Sequence, residues 1–137
     1  MPTPTTTLRL RAQLRAEIDR LAKRSRRSFS EVAQALLEEG VRMQECPGIY
    51  FADEPAGREP KIAGTGLGVW EVIRDYKALR GDRRKVLRAF PHLSAAGVQA
   101  ALTYYGRYSE DIDEAIADNA AAYEAGKVMQ AKAARRA

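Results

Sequence analysis

Hydrophobic and polar positions first alternate and then recur at helical spacing. In Thr5-Thr6-Thr7-Leu8-Arg9-Leu10, Leu8 and Leu10 fall on one face of a strand and Thr5, Thr7 and Arg9 on the other, so a short strand is expected over 5–10. Leu14, Ile18, Leu21 and Ala22 then predict an amphipathic helix over 12–24. Ser25-Arg26-Arg27-Ser28 interrupts it. Ser28-Phe29-Ser30-Glu31 has capping-box spacing, with Ser28 serving a first-turn amide and Glu31 reaching back. A second helix should follow to about residue 43, with Val32, Leu36 and Val41 inward and Ala33 and Leu37 on its flank.

From 44 to 68 the helical period stops. Cys46-Pro47-Gly48 breaks the chain and Ile49-Tyr50-Phe51 has strand composition. The stretch 53–57 is turn chemistry, and 58–62 returns as the second arm of a hairpin. Gly64-Thr65-Gly66-Leu67-Gly68 lacks both G-x-G-x-x-G and Gly-Lys-Ser/Thr, so its glycines serve a tight entry to a helix rather than a phosphate cradle. Three helices follow. Val69, Trp70, Ile73, Tyr76 and Leu79 line the first, with Arg80-Gly81 as its stop. Asp82 caps the second, in which Val86, Leu87 and Phe90 face inward before Pro91. Ser94 caps the third, whose stripe is Val98, Ala101, Leu102 and Tyr105. Ser109 caps a last helix through Ile112, Ile116 and Tyr123, and 127–137 lacks anchors and should fray. The expected fold is mainly α: a strand and two helices, then a small hairpin and four helices. Boundaries are expected at 1–45, 46–125 and a flexible basic tail over 126–137.

One strand and two short helices bury too little surface to stand alone. Antiparallel pairing of two such strands across a two-fold axis solves this, with Leu8, Leu10, Leu14, Ile18, Val32 and Leu36 as dimer core. The outer face of that ribbon presents Thr5, Thr7 and Arg9 twice, at a size that fits the DNA major groove and with side chains that can read base edges. The start of the second helix, at Ser28, Phe29 and Ser30, offers amides and a positive dipole end to a phosphate, with Arg26 and Arg27 beside it. The competing reading is a helical hairpin behind a disordered arm. The segment T-T-T-L-R-L, then S-R-R-S-F-S-E-V and A-L-L-E-E-G, resembles the ribbon-helix-helix family of dimeric repressors.

Charge adds one asymmetry. The net charge is +5 over 137 residues. Residues 1–45 carry nine Lys/Arg against six Asp/Glu and 46–108 ten against six, whereas 109–137 carry four against six. Positive charge over the first two segments suits phosphate contact, although solvated helix surface would look the same. No apolar run reaches membrane-spanning length, and the N-terminus has no signal-peptide pattern. With a single cysteine, Cys46, no internal disulfide or multi-cysteine zinc site can form. A cytoplasmic protein is the expectation.

Further along, P-G-I-Y-F, A-G-R-E-P-K-I-A-G-T-G-L-G-V-W-E-V-I, F-P-H-L-S, V-Q-A-A-L-T-Y-Y and E-D-I-D-E-A-I look like the domain-of-unknown-function 433 family, from about residue 47 to 117. The resemblance implies a small helix-turn-helix domain similar to the antitoxin half of type II toxin–antitoxin pairs, with a PIN-type ribonuclease toxin as partner. This chain departs from the family pattern at Gly66, a position often basic there.

Titratable groups suited to catalysis are few. His92, the single histidine, sits beside a proline at a helix end. Glu110, Asp111, Asp113 and Glu114 crowd a helix start, where the dipole favours carboxylates. Cys46 has no sequence-level partner to lower its pKa. No enzyme, metal or cofactor is expected. Three functions remain: an antitoxin that binds operator DNA as a homodimer and holds a toxin, a stand-alone regulator with two DNA-binding modules, and a structural oligomerisation module. The first is preferred, because the Ala-rich last helix suits docking on another protein.

Overall fold

The structure, a computed structural model, describes residues 2–136. Its elements run α1 (Ala12–Ser25), α2 (Phe29–Glu45), β1 (Ile49–Glu54), β2 (Gly57–Ile62), α3 (Val69–Ala78), α4 (Arg83–Ala89), α5 (Ala95–Arg107) and α6 (Ser109–Arg136). The fold is mainly helical, with one two-stranded antiparallel hairpin. Two compact units divide the chain, Met1–Arg42 and Met43–Ala137. The division lies within the last turn of α2, slightly before the break in hydrophobic period.

In the first unit, Ile18 and Ala22 of α1 and Val32 of α2 are buried together, with Leu10, Phe29 and Ala33 packed against them. Arg26 closes α1 in the left-handed region at φ 55°, and the Arg27 amide donates to the Ala22 carbonyl at 3.0 Å. That reversal turns the chain into α2. The strand expected over 5–10 is absent within the single chain: residues 2–11 belong to no helix or strand. A ladder needs a second strand, and among the described residues nothing pairs with this one. Two further expectations fail within one chain. Leu36 and Val41 were expected inward on α2, but both are exposed.

The second unit is built around α3. Val69, Val72 and Ile73 are wholly buried, and Val86 of α4, Val98, Ala101 and Tyr104 of α5, and Ile112 of α6 close over them. The hairpin contributes Ile49 and Ile62. Its register pairs Ile49 with Ile62 and Glu54 with Gly57, leaving a two-residue Pro55-Ala56 loop. Phe51 meets Tyr104 edge-on at 6.3 Å between ring centroids. The expected stripes are shifted slightly in two helices: Val72 and Tyr104, which the stripes left out, are fully buried as well, while Trp70, Leu102 and Tyr105 lie at the core's edge.

Local chemistry sets the joints. Asp82 caps α4 by accepting from the Lys85 amide at 3.2 Å, and Ser94 caps α5 by accepting from the Gly97 amide at 3.0 Å. Arg80 and Gly81, at φ 54° and 77°, stop the chain after α3. The helix α6 starts at Ser109 itself and runs to Arg136, so the exposed stretch over 126–136, expected as a flexible tail, is helical. Alanine, glutamate, glutamine, lysine and arginine all have high helix propensity, and Gly126 alone costs only about 1 kcal/mol.

Because Ile73 is completely enclosed, Ile73→Ala should lower the stability of the second unit by about 2–5 kcal/mol and Ile73→Val by about 0.5–1.5 kcal/mol. Chemical denaturation followed by helical circular dichroism reads both. Equal, small losses would mean the site collapses around any side chain.

Candidate functional site

Each unit offers one candidate surface. In the first, Ser28 and Glu31 form the reciprocal cap read from the sequence. The Glu31 amide donates to Ser28 Oγ at 3.1 Å, and the Ser28 amide donates to Glu31 Oε1 at 3.4 Å. These hydrogen bonds, the Ser28 amide first and then its hydroxyl, with Arg27 adding its charge, hold the Glu31 carboxyl below the usual glutamate range. Arg27 lies 3.8 Å from Glu31, and the Arg15 guanidinium stands 4.0 Å over the Phe29 ring. The amides of Phe29 and Ser30 stand in the first turn of α2, where a helix leaves its N–H groups without intrahelical partners at the positive end of its dipole. Arg26, Arg27, Ser28 and Ser30 are exposed and Phe29 is half-buried. These five residues therefore gather at one corner.

Thr5, Thr7 and Arg9 are exposed, but so is Leu8, at 65%. The two-faced alternation expected of them is thus not realised in a single chain. Of the six residues expected in a dimer core, Ile18 and Val32 are buried, Leu10 is half-buried, and Leu8, Leu14 and Leu36 are exposed. A concavity of about 440 Å³ lies along Arg9, Leu10, Gln13, Leu14 and Glu17.

In the second unit the glycine loop 64–68 is pinned by its own contacts. Thr65 Oγ1 donates to the Ile62 carbonyl at 2.8 Å and accepts from the Leu67 amide at 3.0 Å. Lys61 donates to the Gly66 carbonyl at 3.3 Å and pairs with Glu54. Gly68 has no room for a side chain, since a Cβ would fall 2.9 Å from the Trp70 ring and 3.0 Å from Glu59 Oε1. Burial, then the nearby Glu54 charge, pushes the Glu59 carboxyl up, while Lys61 opposes. The loop is a helix entry with its polar groups occupied. His92 is exposed in the α4–α5 turn.

Two polar ties hold helix ends together. Asp113 accepts from Lys77 and from the Tyr105 hydroxyl, each at 2.9 Å, which joins α3, α5 and α6. Glu45 accepts from Arg107 at 3.1 Å and from the Tyr108 hydroxyl at 2.9 Å. Arg84, Lys85 and Arg88 point outward from α4, and Arg83 reaches Gln99 of α5 at 3.3 Å.

A groove of about 670 Å³ lies between α3 and α6 of this unit, lined by Trp70, Arg74, Ile116, Ala120 and Tyr123. Helical spacing puts Trp70 on the inward stripe of α3. It is instead half-buried, with one face on the core and the other on the groove. The continuation of the Ile112, Ile116, Tyr123 period beyond the body of the domain was the signal for such a surface.

Residues 51–105 match the model of a family described as "Protein of unknown function (DUF433)". The DUF433 segment takes in most of the hairpin, α3, α4 and most of α5. It is narrower than the resemblance read over 47–117, and it includes neither the first unit nor α6. No curated protein and no solved structure matches the chain. No helix among the described residues is long and apolar enough to cross a membrane. The groove therefore has one wall, α3, inside the DUF433 segment and the other outside it.

The Asp113 tie gives a pH signature. Hydrogen bonds from Lys77 and then Tyr105 hold the Asp113 carboxyl below the usual aspartate range. A depressed carboxyl stabilises the fold above its unfolded value, and that contribution disappears as the pH falls through the folded value. Asp113→Asn should therefore weaken the second unit slightly near neutral pH and flatten its loss of stability below about pH 4. Thermal melts of both proteins across the acid range measure this; parallel curves would show the tie to be broken in solution.

Proposed function

We propose that this protein is an antitoxin of a type II toxin–antitoxin pair: a cytoplasmic homodimer that binds operator DNA through its first unit and a protein toxin, of the PIN-type ribonuclease class, through its second. The observation that carries the reading is the incompleteness of the first unit. Leu14 and Leu36 are 45% and 41% exposed at positions whose periodicity faces them inward, beside the exposed Leu8. A second copy covers them if the two segments over 5–10 pair as an antiparallel ribbon, which gives each the ladder it lacks. That pairing turns Thr5, Thr7 and Arg9 outward toward bases. It leaves the Phe29 and Ser30 amides, with Arg26 and Arg27, for the flanking phosphates. The DUF433 resemblance supports the toxin half of the reading.

A second reading, a stand-alone regulator with two DNA-binding modules, is favoured by the outward Arg84, Lys85 and Arg88 beside the α4–α5 turn. Fragments 1–45 and 46–137 separate the two. The antitoxin reading expects 46–137 to inhibit the toxin encoded beside it and to hold operator DNA poorly. Sequence-specific DNA binding by 46–137, with no protein partner, would establish the regulator instead.

Two variants test the ribbon. Leu10→Asp should abolish dimer and DNA binding together, because it buries an unpaired charge; a dimeric variant with normal DNA affinity would refute the pairing. Arg9→Ala should lose about 1–3 kcal/mol of discrimination between operator and random DNA at fixed salt. Equal loss on both sequences would reduce Arg9 to a phosphate contact.

A further inference from the structure

We propose that the groove between α3 and α6 seats one amphipathic helix of a partner protein, with an apolar face turned inward and carboxylates on its flanks. The proposal deepens the antitoxin reading, on which the existence of a protein partner rests. Shape comes first. Ile112 of α6 is buried in the core and Ile116 is half-buried, but every described residue from 117 onward is exposed. That stretch projects roughly 30 Å at 1.5 Å per residue. An Ala-rich helix of this length has only marginal stability alone in water. Its stripe of Ile116, Ala120 and Tyr123 nevertheless continues at spacings of four and three residues, facing Trp70 across the groove. An apolar trough with helical walls on both sides has the shape that receives a third helix.

Charge selects the occupant. The Arg74 guanidinium lies 5.2 Å from the Trp70 ring centre and the Lys127 ammonium 4.6 Å from that of Tyr123. Both aromatic walls thus carry a cation on their faces. Their carboxylate neighbours, Asp75 and Glu124, form exposed pairs that a partner can outcompete. Of the residues that line the groove Arg74 is the charged one, and Lys127 stands one helical turn beyond Tyr123. Nucleic acid would satisfy those cations but leave the apolar floor uncovered. A second copy offers carboxylates at 110–118, yet Ile112 on that stretch is already committed to its own core.

Trp70 is the single tryptophan and lines the groove, so its fluorescence reports occupancy directly. The full-length protein is titrated with a synthetic amphipathic helical peptide bearing Leu and Phe on one face and Glu on its flanks. A counterpart with Lys for every Glu, and a short DNA duplex, are titrated in parallel. The acidic peptide should shift Trp70 emission to the blue and saturate, with the Lys counterpart at least tenfold weaker and the duplex without effect. Arg74→Glu and Tyr123→Asp, both at exposed positions, should each weaken the acidic peptide at least tenfold with helicity unchanged. No shift up to about 1 mM peptide, an equal response to the Lys counterpart, or a shift with DNA overturns the proposal. So does a concentration-dependent shift of the protein alone with a doubling of mass, which would make the occupant a second copy. If a toxin is bound and inhibited equally by wild type and both variants, the groove assignment falls and the antitoxin reading stands. Selective peptide binding without any toxin does the reverse.

Discussion

Everything in the second unit depends on the burial of one side of α3. Val69, Val72 and Ile73 retain no exposed surface, so the hairpin, α4, α5 and α6 must all be placed to cover them. A Cβ at residue 68 would fall 2.9 Å from the Trp70 ring, so a larger residue where the chain enters this helix must displace that ring. Glu71 then accepts from the Gly68 amide at 3.2 Å and completes the entry. With one side of α3 committed to the core, Trp70 at the edge of that side and the exposed Arg74 form the wall of the groove. Core and candidate site are two faces of the same ten-residue helix.

The first unit has no such centre. Its buried cluster is Ile18, Ala22 and Val32, with three partners at the edge. A segment of this size cannot bury most of its apolar surface by itself. The leucines that remain outside are the consequence of that shortage, and they give the dimer reading its force. The same unit nevertheless has well-formed local structure: a left-handed Arg26, a reciprocal Ser28–Glu31 cap and a guanidinium stacked on Phe29. Local hydrogen bonding needs only residues close in sequence, whereas the strand expected over 5–10 needs another strand beside it.

Polar ties in the second unit do a different task from the core. The Asp113 and Glu45 carboxylates each collect one cation and one tyrosine hydroxyl. At exposed sites such pairs add little to stability. They act on register, since each joins elements far apart in sequence and defines where α5 ends relative to its neighbours. The pinned loop at 64–68 behaves similarly. Thr65 and Lys61 occupy its polar groups internally, which explains why glycines that invite comparison with a phosphate loop serve only to turn the chain.

Much of this protein was determined by its sequence alone, wherever the cause is local. The caps at Ser28, Asp82 and Ser94, the stop at Arg80-Gly81, the hairpin near residues 49–62 and the helices between them follow from short-range hydrogen bonding and from period. Tertiary structure decided what period leaves ambiguous. It placed Val72 and Tyr104 in the centre and moved Trp70 to the rim, because a helical stripe is wide and only the neighbouring elements select its deepest residues. The extension of α6 to Arg136, beyond its last core contact, is again local, since helix propensity sustains a segment that no packing pattern announces. The segment over 5–10 marks the limit of both: its alternation is legible in the residues, but a strand exists only when another strand lies beside it.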